Sequence, residues 1–251
     1  MDPLPADKLT FRHSDLNHLS DDEKCIFFQA GIVLTELRFF DLQLHAHFSN
    51  LRKKRKRHDA EIGIFLSQIT LLLAGLAGKL VEANNVIKKS FYLPTVSKKY
   101  AARLSPEASE ALQRIKTYFS NKNNLASVLR NNFGSHYDRD RILDFIGSLP
   151  PNHEHHAYLP QLLNEAFLEF GQTSAMHALF KATGASNAME GFFKVYGELG
   201  VNLTRDFVVI FHGVLQEVGK EITFHSEKVK ITRKSDSPVL YMPNMPGFPG
   251  R

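Results

Sequence analysis

A pattern of apolar residues at helical spacing extends over most of the first ninety positions, and this feature constrains the fold more than any other. From Ser20 to about Asn50 they recur at intervals of three and four residues. Ser20 and Glu23 have the spacing of a capping box, which starts a helix. A second long helix is expected from about Asp59 to Ser90, and its centre is apolar almost all round, which is typical of a helix inside a bundle.

The third and fourth helices are indicated by their start signals. Ser105 before Pro106 has the order of an N-cap residue followed by proline at the first helical position. The asparagine-rich stretch 121–124 then separates this helix from a fourth one that runs through Phe133. The stretch 91–104 contains a proline and a basic patch, and we interpret it as a loop.

The predicted fold class is therefore all-α: an up-and-down helical bundle with additional C-terminal helices. Those helices are expected at about 160–182, 186–198 and 203–222, with breaks at Gly184 and Gly200. The predicted regions are an N-terminal arm (1–19), the bundle (20–148), a C-terminal helical region packed on the bundle (158–222) and an extended or disordered tail (223–251).

The positive charge of the chain is concentrated in one short run. The net charge is +5, and six positive charges come from Arg52, Lys53, Lys54, Arg55, Lys56 and Arg57. A local basic block indicates a phosphate-bearing partner or an anionic surface. The alternative is a solvated, charged turn between two helices.

The remaining bulk features predict a cytoplasmic protein. Cys25 is the one cysteine in the chain, which excludes an internal disulfide and a cysteine-based zinc cluster, and its apolar surroundings predict a buried, inert thiol. The polar N-terminus does not have the pattern of a signal peptide. The apolar segment Ile62–Gly78 contains polar residues and is short for a membrane span, so we interpret it as a core helix and expect no membrane partner.

One short stretch suggests chemistry. Arg130 is followed directly by Asn131, and His136 lies six positions after the arginine, followed by Tyr137 and Asp138. This pattern resembles the motif of the HEPN superfamily, in which a histidine follows an arginine after four to six residues and a polar residue is favoured just after the arginine. The local sequence looks most like bacterial HEPN proteins of the abortive-infection type, and the resemblance covers roughly residues 20–148. It implies a HEPN-like bundle of four or five helices, commonly a homodimer.

The resemblance also implies a metal-independent endoribonuclease without a cofactor. Arg130, His136 and Asn131 would be its catalytic residues, and the product would be a 2′,3′-cyclic phosphate. The basic run 52–57 and Tyr137 would contact RNA. The protein would act as a toxin or abortive-infection effector, which would imply an antitoxin protein as a further partner.

Two alternatives stay open. A HEPN-like dimer could bind a nucleotide, RNA or a protein without catalysis. In a helical interaction protein, Arg130 could instead pair with Asp138 or Asp140, and His136 could cap a helix.

Two features of spacing limit these hypotheses. Positions six apart on a straight helix point about 120° away from each other. Arg130 and His136 therefore need either a bend at Gly134 or a dimer that brings two motifs to one cleft, and we favour the dimer. The stretch His153-Glu154-His155-His156 lacks the spacing of a helical metal site, so we interpret it as a solvated loop and expect no metal.

Overall fold

A computed structural model describes residues 4–51, 59–133, 143, 146–152, 154, 157–158, 167–168, 183–185 and 188–231. It confirms the all-α fold class. The helices are α1 (Asp21–Leu51), α2 (Asp59–Val86), α3 (Pro94–Tyr100), α4 (Pro106–Ser120), α5 (Leu125–Phe133), α6 (Ala188–Val195) and α7 (Thr204–Gly219). Short π-helical segments, Ile87–Phe91 and Tyr196–Leu203, follow α2 and join α6 to α7.

Two helix starts are capped as their sequences predict. At the start of α1, Glu23 N donates to Ser20 Oγ (3.3 Å) and Ser20 N donates to Glu23 Oε2 (2.7 Å), which completes the capping box. At the start of α4, Ala108 N donates to Ser105 Oγ at 3.2 Å. These bonds satisfy backbone N–H groups that have no partner within the helix.

The chain divides into two compact units. The first comprises 1–42, 83–116 and 206–251. In this unit α7 approaches α4 closely at Gly213, where a Cβ atom would lie 3.4 Å from Ala108 Cβ. The core of the unit is apolar and includes Ile26, Leu37, Phe91, Tyr100, Ala111, Ile115, Phe207, Phe211 and Val214.

The second unit comprises 43–82 and 117–205. The hydroxyls of Ser67 and Thr70 donate to carbonyl oxygens one turn earlier in α2, so these polar groups are satisfied within their own helix. The buried apolar side chains of the unit include Leu44, Ile69, Leu73, Leu76, Leu80, Ala126, Leu129, Phe192, Val195 and Leu199.

Two sheets of two strands accompany the helices in the described residues. β1 (Leu4–Thr10) pairs antiparallel with β4 (His225–Ile231), so that Leu4 lies opposite Ile231. β4 lies within the region predicted as an extended or disordered tail, and its pairing with the N-terminal arm was not predicted. β2 (Ala157–Tyr158) pairs antiparallel with β3 (Phe167–Leu168).

Three predictions of local structure are wrong. The stretch 91–104 is not a loop, because Pro94 occupies the first turn of α3, where its missing N–H costs nothing. Phe167 and Leu168 form β3 rather than helix, because a short apolar run fits either structure and long-range pairing decides. Gly200 does not end a helical stretch as predicted but lies inside the π-helical segment. A Cβ atom there would come within 2.7 Å of the Tyr196 ring. Gly184 does mark a turn, with φ of 60°.

The thiol of Cys25 is exposed, so its predicted burial is also wrong. Successive helical residues point about 100° apart. Ile26 and Ala30 face the core and are fully buried, and the neighbouring position 25 therefore points outward.

Candidate functional site

Helix α5 carries the two motif residues that the structure describes. Its start is fixed by Asn124, whose Oδ1 accepts a hydrogen bond from Ser127 N at 2.9 Å, as expected of an N-cap asparagine. Ala126 and Leu129 are fully buried and hold the inner face of the helix. Arg130 and Asn131 are exposed on its outer side, in the last turn before Phe133.

A tyrosine also holds the start of α5. The hydroxyl of Tyr118 accepts a hydrogen bond from Ala126 N (3.1 Å) and donates one to Glu198 Oε1 (2.7 Å). Burial and the bond to Glu198 raise the pKa of Tyr118 above its usual value, so this hydroxyl stays a donor at physiological pH. The contact with Glu198 joins positions 80 apart in the sequence, and no local pattern predicts it.

The guanidinium of Arg130 lies against a carboxylate of α2. Its Nη2 donates to Glu82 Oε1 at 2.7 Å. The side chain of Arg130 is 45% exposed and that of Glu82 is 53% exposed. An ion pair this open to solvent contributes about 0–1 kcal/mol. The pair therefore orients the guanidinium while both side chains stay about half exposed to solvent.

The other predicted site residues lie outside the described residues. These are His136, Tyr137 and the basic residues Arg52, Lys53, Lys54, Arg55, Lys56 and Arg57. Asp138 and Asp140, the partners considered for Arg130, also lie outside. The structure thus pairs Arg130 with Glu82 and exposes Asn131 beside it in α5, and the arrangement of Arg130 with His136 stays a prediction.

A polar cleft of about 510 Å³ lies at the N-terminal end of α5, the end opposite to Arg130. Arg130 is six residues from the N-cap, or about 9 Å along the helix axis, so the cleft and the motif share one rigid element. The side chains around the cleft are mostly uncharged and polar. They are Thr117, Tyr118, Asn121, Asn123, Asn124, Leu125, Thr183, Lys194 and Glu198.

An ionic cluster in the first unit was not predicted. Lys99 Nζ donates to Glu23 Oε1 (2.6 Å) and to Glu221 Oε2 (2.5 Å), and Tyr100 Oη donates to Glu23 Oε1 (2.8 Å). Burial would raise the pKa of Glu23, but hydrogen bonds from Lys99, Ser20 and Tyr100 outweigh it and lower that pKa to about 2. Every charge in this cluster has a partner, which indicates a structural role.

Within the described residues, no group of three or more histidine, cysteine, aspartate or glutamate side chains is arranged to hold a metal ion. Of the stretch 153–156, only Glu154 is described, so the interpretation of that stretch stays a prediction.

By length and hydropathy, one helical stretch of the described residues, Glu61–Phe91, is apolar enough to cross a membrane. In its most apolar window, 44% is buried inside the protein. Core helices meet the same criteria, so this property indicates little about location.

The sequence matches no protein-family model and no curated protein, and no solved structure resembles the chain.

Proposed function

We propose that this protein is a metal-independent endoribonuclease of the HEPN type, with Arg130, His136 and Asn131 as its catalytic residues. The observation that carries the proposal is the placement of Arg130 and Asn131. Both are exposed in the last turn of α5, and a weak surface pair keeps the guanidinium near solvent. A planar guanidinium suits the oxygens of a phosphodiester.

The proposed reaction needs no metal. The 2′-oxygen attacks phosphorus and the bond to the 5′-oxygen breaks, which gives a 2′,3′-cyclic phosphate and a 5′-hydroxyl. A base takes the proton of the 2′-hydroxyl, and an acid gives a proton to the leaving oxygen. A histidine imidazole ordinarily titrates near neutral pH and suits either role. Arg130 would stabilise the negative charge that grows on the phosphate, and Asn131 would orient the phosphate or the imidazole.

The biological setting follows from the same resemblance. We propose a cytoplasmic toxin or abortive-infection effector that acts on RNA as a homodimer, with an antitoxin protein as a further partner. A homodimer with two motifs at one cleft would supply two histidines, one for each proton transfer. The basic run 52–57 and Tyr137 would add contacts to the RNA.

A non-catalytic RNA- or nucleotide-binding dimer is the second candidate. It is favoured by the ion pair between Arg130 and Glu82, which partly neutralises the guanidinium before any ligand arrives. Such a protein would bind RNA and leave it intact.

An RNA-cleavage assay in excess chelator separates these candidates. We expect the wild type to cleave RNA, and we expect His136→Ala and Arg130→Ala each to lose at least about a hundredfold, as is typical of lost acid–base and electrostatic catalysis. Lys116→Ala is the matched control, because it removes one exposed positive charge from α4, outside the motif sequence. Binding without cleavage would favour the second candidate. Full activity of Arg130→Ala would contradict both.

A further inference from the structure

Glu82 occupies the position at which an anionic ligand would meet Arg130. The carboxylate lies 2.7 Å from Arg130 Nη2, and both side chains are about half exposed. Glu82 belongs to α2 and Arg130 to α5, so two separate elements of the second unit hold the pair in place. The carboxylate of Glu82 thus takes a donor of Arg130 to which a phosphate oxygen could otherwise bind.

We propose that Glu82 is a built-in competitor for the phosphate at Arg130. The inference rests on the proposed RNA-binding function and names a residue that regulates the same site. Glu82 positions the guanidinium in the free protein and yields to a phosphodiester when RNA binds. Because a carboxylate and a phosphate carry charge of the same sign, Glu82 lowers the affinity for RNA and limits retention of other anions.

The partial exposure of the pair makes this exchange feasible. A fully buried carboxylate could not be released without leaving an unpaired charge in a dry interior. The side chain of Glu82 is already about half exposed to water, so breaking its bond to Arg130 does not leave a charge in a dry interior. A guanidinium has five donors, and Glu82 uses one of them in the described contact, which leaves others to bind a phosphate.

Removing the charge of Glu82 should therefore strengthen RNA binding. We expect Glu82→Gln to bind roughly fivefold more tightly than the wild type, the fold-change that matches a half-exposed ion pair. Glutamine keeps the length of the side chain and can still accept a hydrogen bond from Arg130, so the substitution changes charge rather than packing.

The experiment measures the affinity of the full chain for a fluorescent single-stranded 2′-O-methyl RNA, which the proposed reaction cannot cleave. The variants are Glu82→Gln, Arg130→Ala and the double variant. Glu110→Gln is the control, because it removes an exposed acidic charge whose ion-pair partner is Arg114. We expect Glu110→Gln to stay within about twofold of the wild type, and the double variant to bind as weakly as Arg130→Ala, since the benefit of Glu82→Gln requires the guanidinium.

The outcomes distinguish this inference from the proposed function. If Arg130→Ala weakens binding but Glu82→Gln binds no more tightly than Glu110→Gln, Arg130 is an anion site and Glu82 does not compete for it. If Glu82→Gln tightens binding equally with and without Arg130, its effect is one of general electrostatics. Glu82 then does not compete with the phosphate for Arg130. If Arg130→Ala leaves binding unchanged, the proposed role of Arg130 fails together with the inference.

Discussion

Glu23 is 5% exposed, and its neighbours keep its carboxylate ionised. Burial opposes the charge, but Lys99, Ser20 and Tyr100 donate hydrogen bonds to the ionised form. The pKa of Lys99 is raised, because its bonds to Glu221 and Glu23 outweigh the effect of burial. At the scale of single residues, this cluster is an electrostatic contribution to the stability of the first unit.

Glu23→Gln should destabilise the fold by about 1–3 kcal/mol near neutral pH, because Lys99 loses one of its two carboxylate partners. The folded-state pKa of Glu23 is about 2, below its usual 4.5. Its contribution is therefore fully present above pH 4.5 and is lost as the pH falls towards 2. Urea unfolding at a series of pH values should show the difference between wild type and variant shrinking over that range. A difference that is constant with pH would contradict the assigned charge, and Glu110→Gln should show little loss.

Single residues also show where prediction from sequence stops. The capping box of Ser20 and Glu23 is local, since both partners lie within one turn, and it was predicted. The partner of Arg130 lies 48 positions away, and the partner of Lys99 at Glu221 lies 122 positions away. No spacing rule reaches contacts that tertiary packing creates.

At the scale of elements, the long helices were predicted closely because their periodicity extends over many turns. α1 and α2 begin and end near the expected residues. α3 was missed although Pro94 is a start signal of the same kind as Pro106. The difference is that α3 is short, so its apolar pattern is weak, and the proline alone was interpreted as a loop residue. The pairing of β1 with β4 joins the first and last described segments of the chain and has no local signal.

The π-helical segment between α6 and α7 provides a test at this scale. Gly200 is buried, and a Cβ atom there would lie 2.7 Å from the Tyr196 ring, so Gly200→Ala should force the ring to move. We expect a loss of about 1–3 kcal/mol in the free energy of unfolding, as is usual for overpacking.

Gly197 offers a matched control in the same segment. A Cβ atom at Gly197 has nothing within 4 Å, so Gly197→Ala should be neutral or stabilising by up to about 1 kcal/mol. Denaturant unfolding of both variants measures the difference. Equal stability of the two variants would show that the close packing at Gly200 does not explain why glycine occurs there.

At the scale of the whole molecule, the fold class follows from periodicity, but the division into two units does not. Each unit is assembled from segments that are far apart in sequence, and the unit boundaries fall within α1, α2, α4 and α7. A helix that contributes to two units has the same apolar spacing as a helix that lies in a single unit, so the spacing does not reveal the boundary. The proposed site combines α2 and α5 of the second unit, and only its α5 part was predicted.

The central claim is that the protein cleaves RNA without a metal through Arg130 and His136, and the chemistry of the product ends tests it most directly. RNA would be incubated with the wild type and with His136→Ala in excess chelator, and the fragment ends would be identified by mass spectrometry. We expect 2′,3′-cyclic phosphate and 5′-hydroxyl ends from the wild type alone. Fragments that carry 3′-hydroxyl and 5′-phosphate ends, disappear with chelator or persist in His136→Ala would contradict the proposed nuclease.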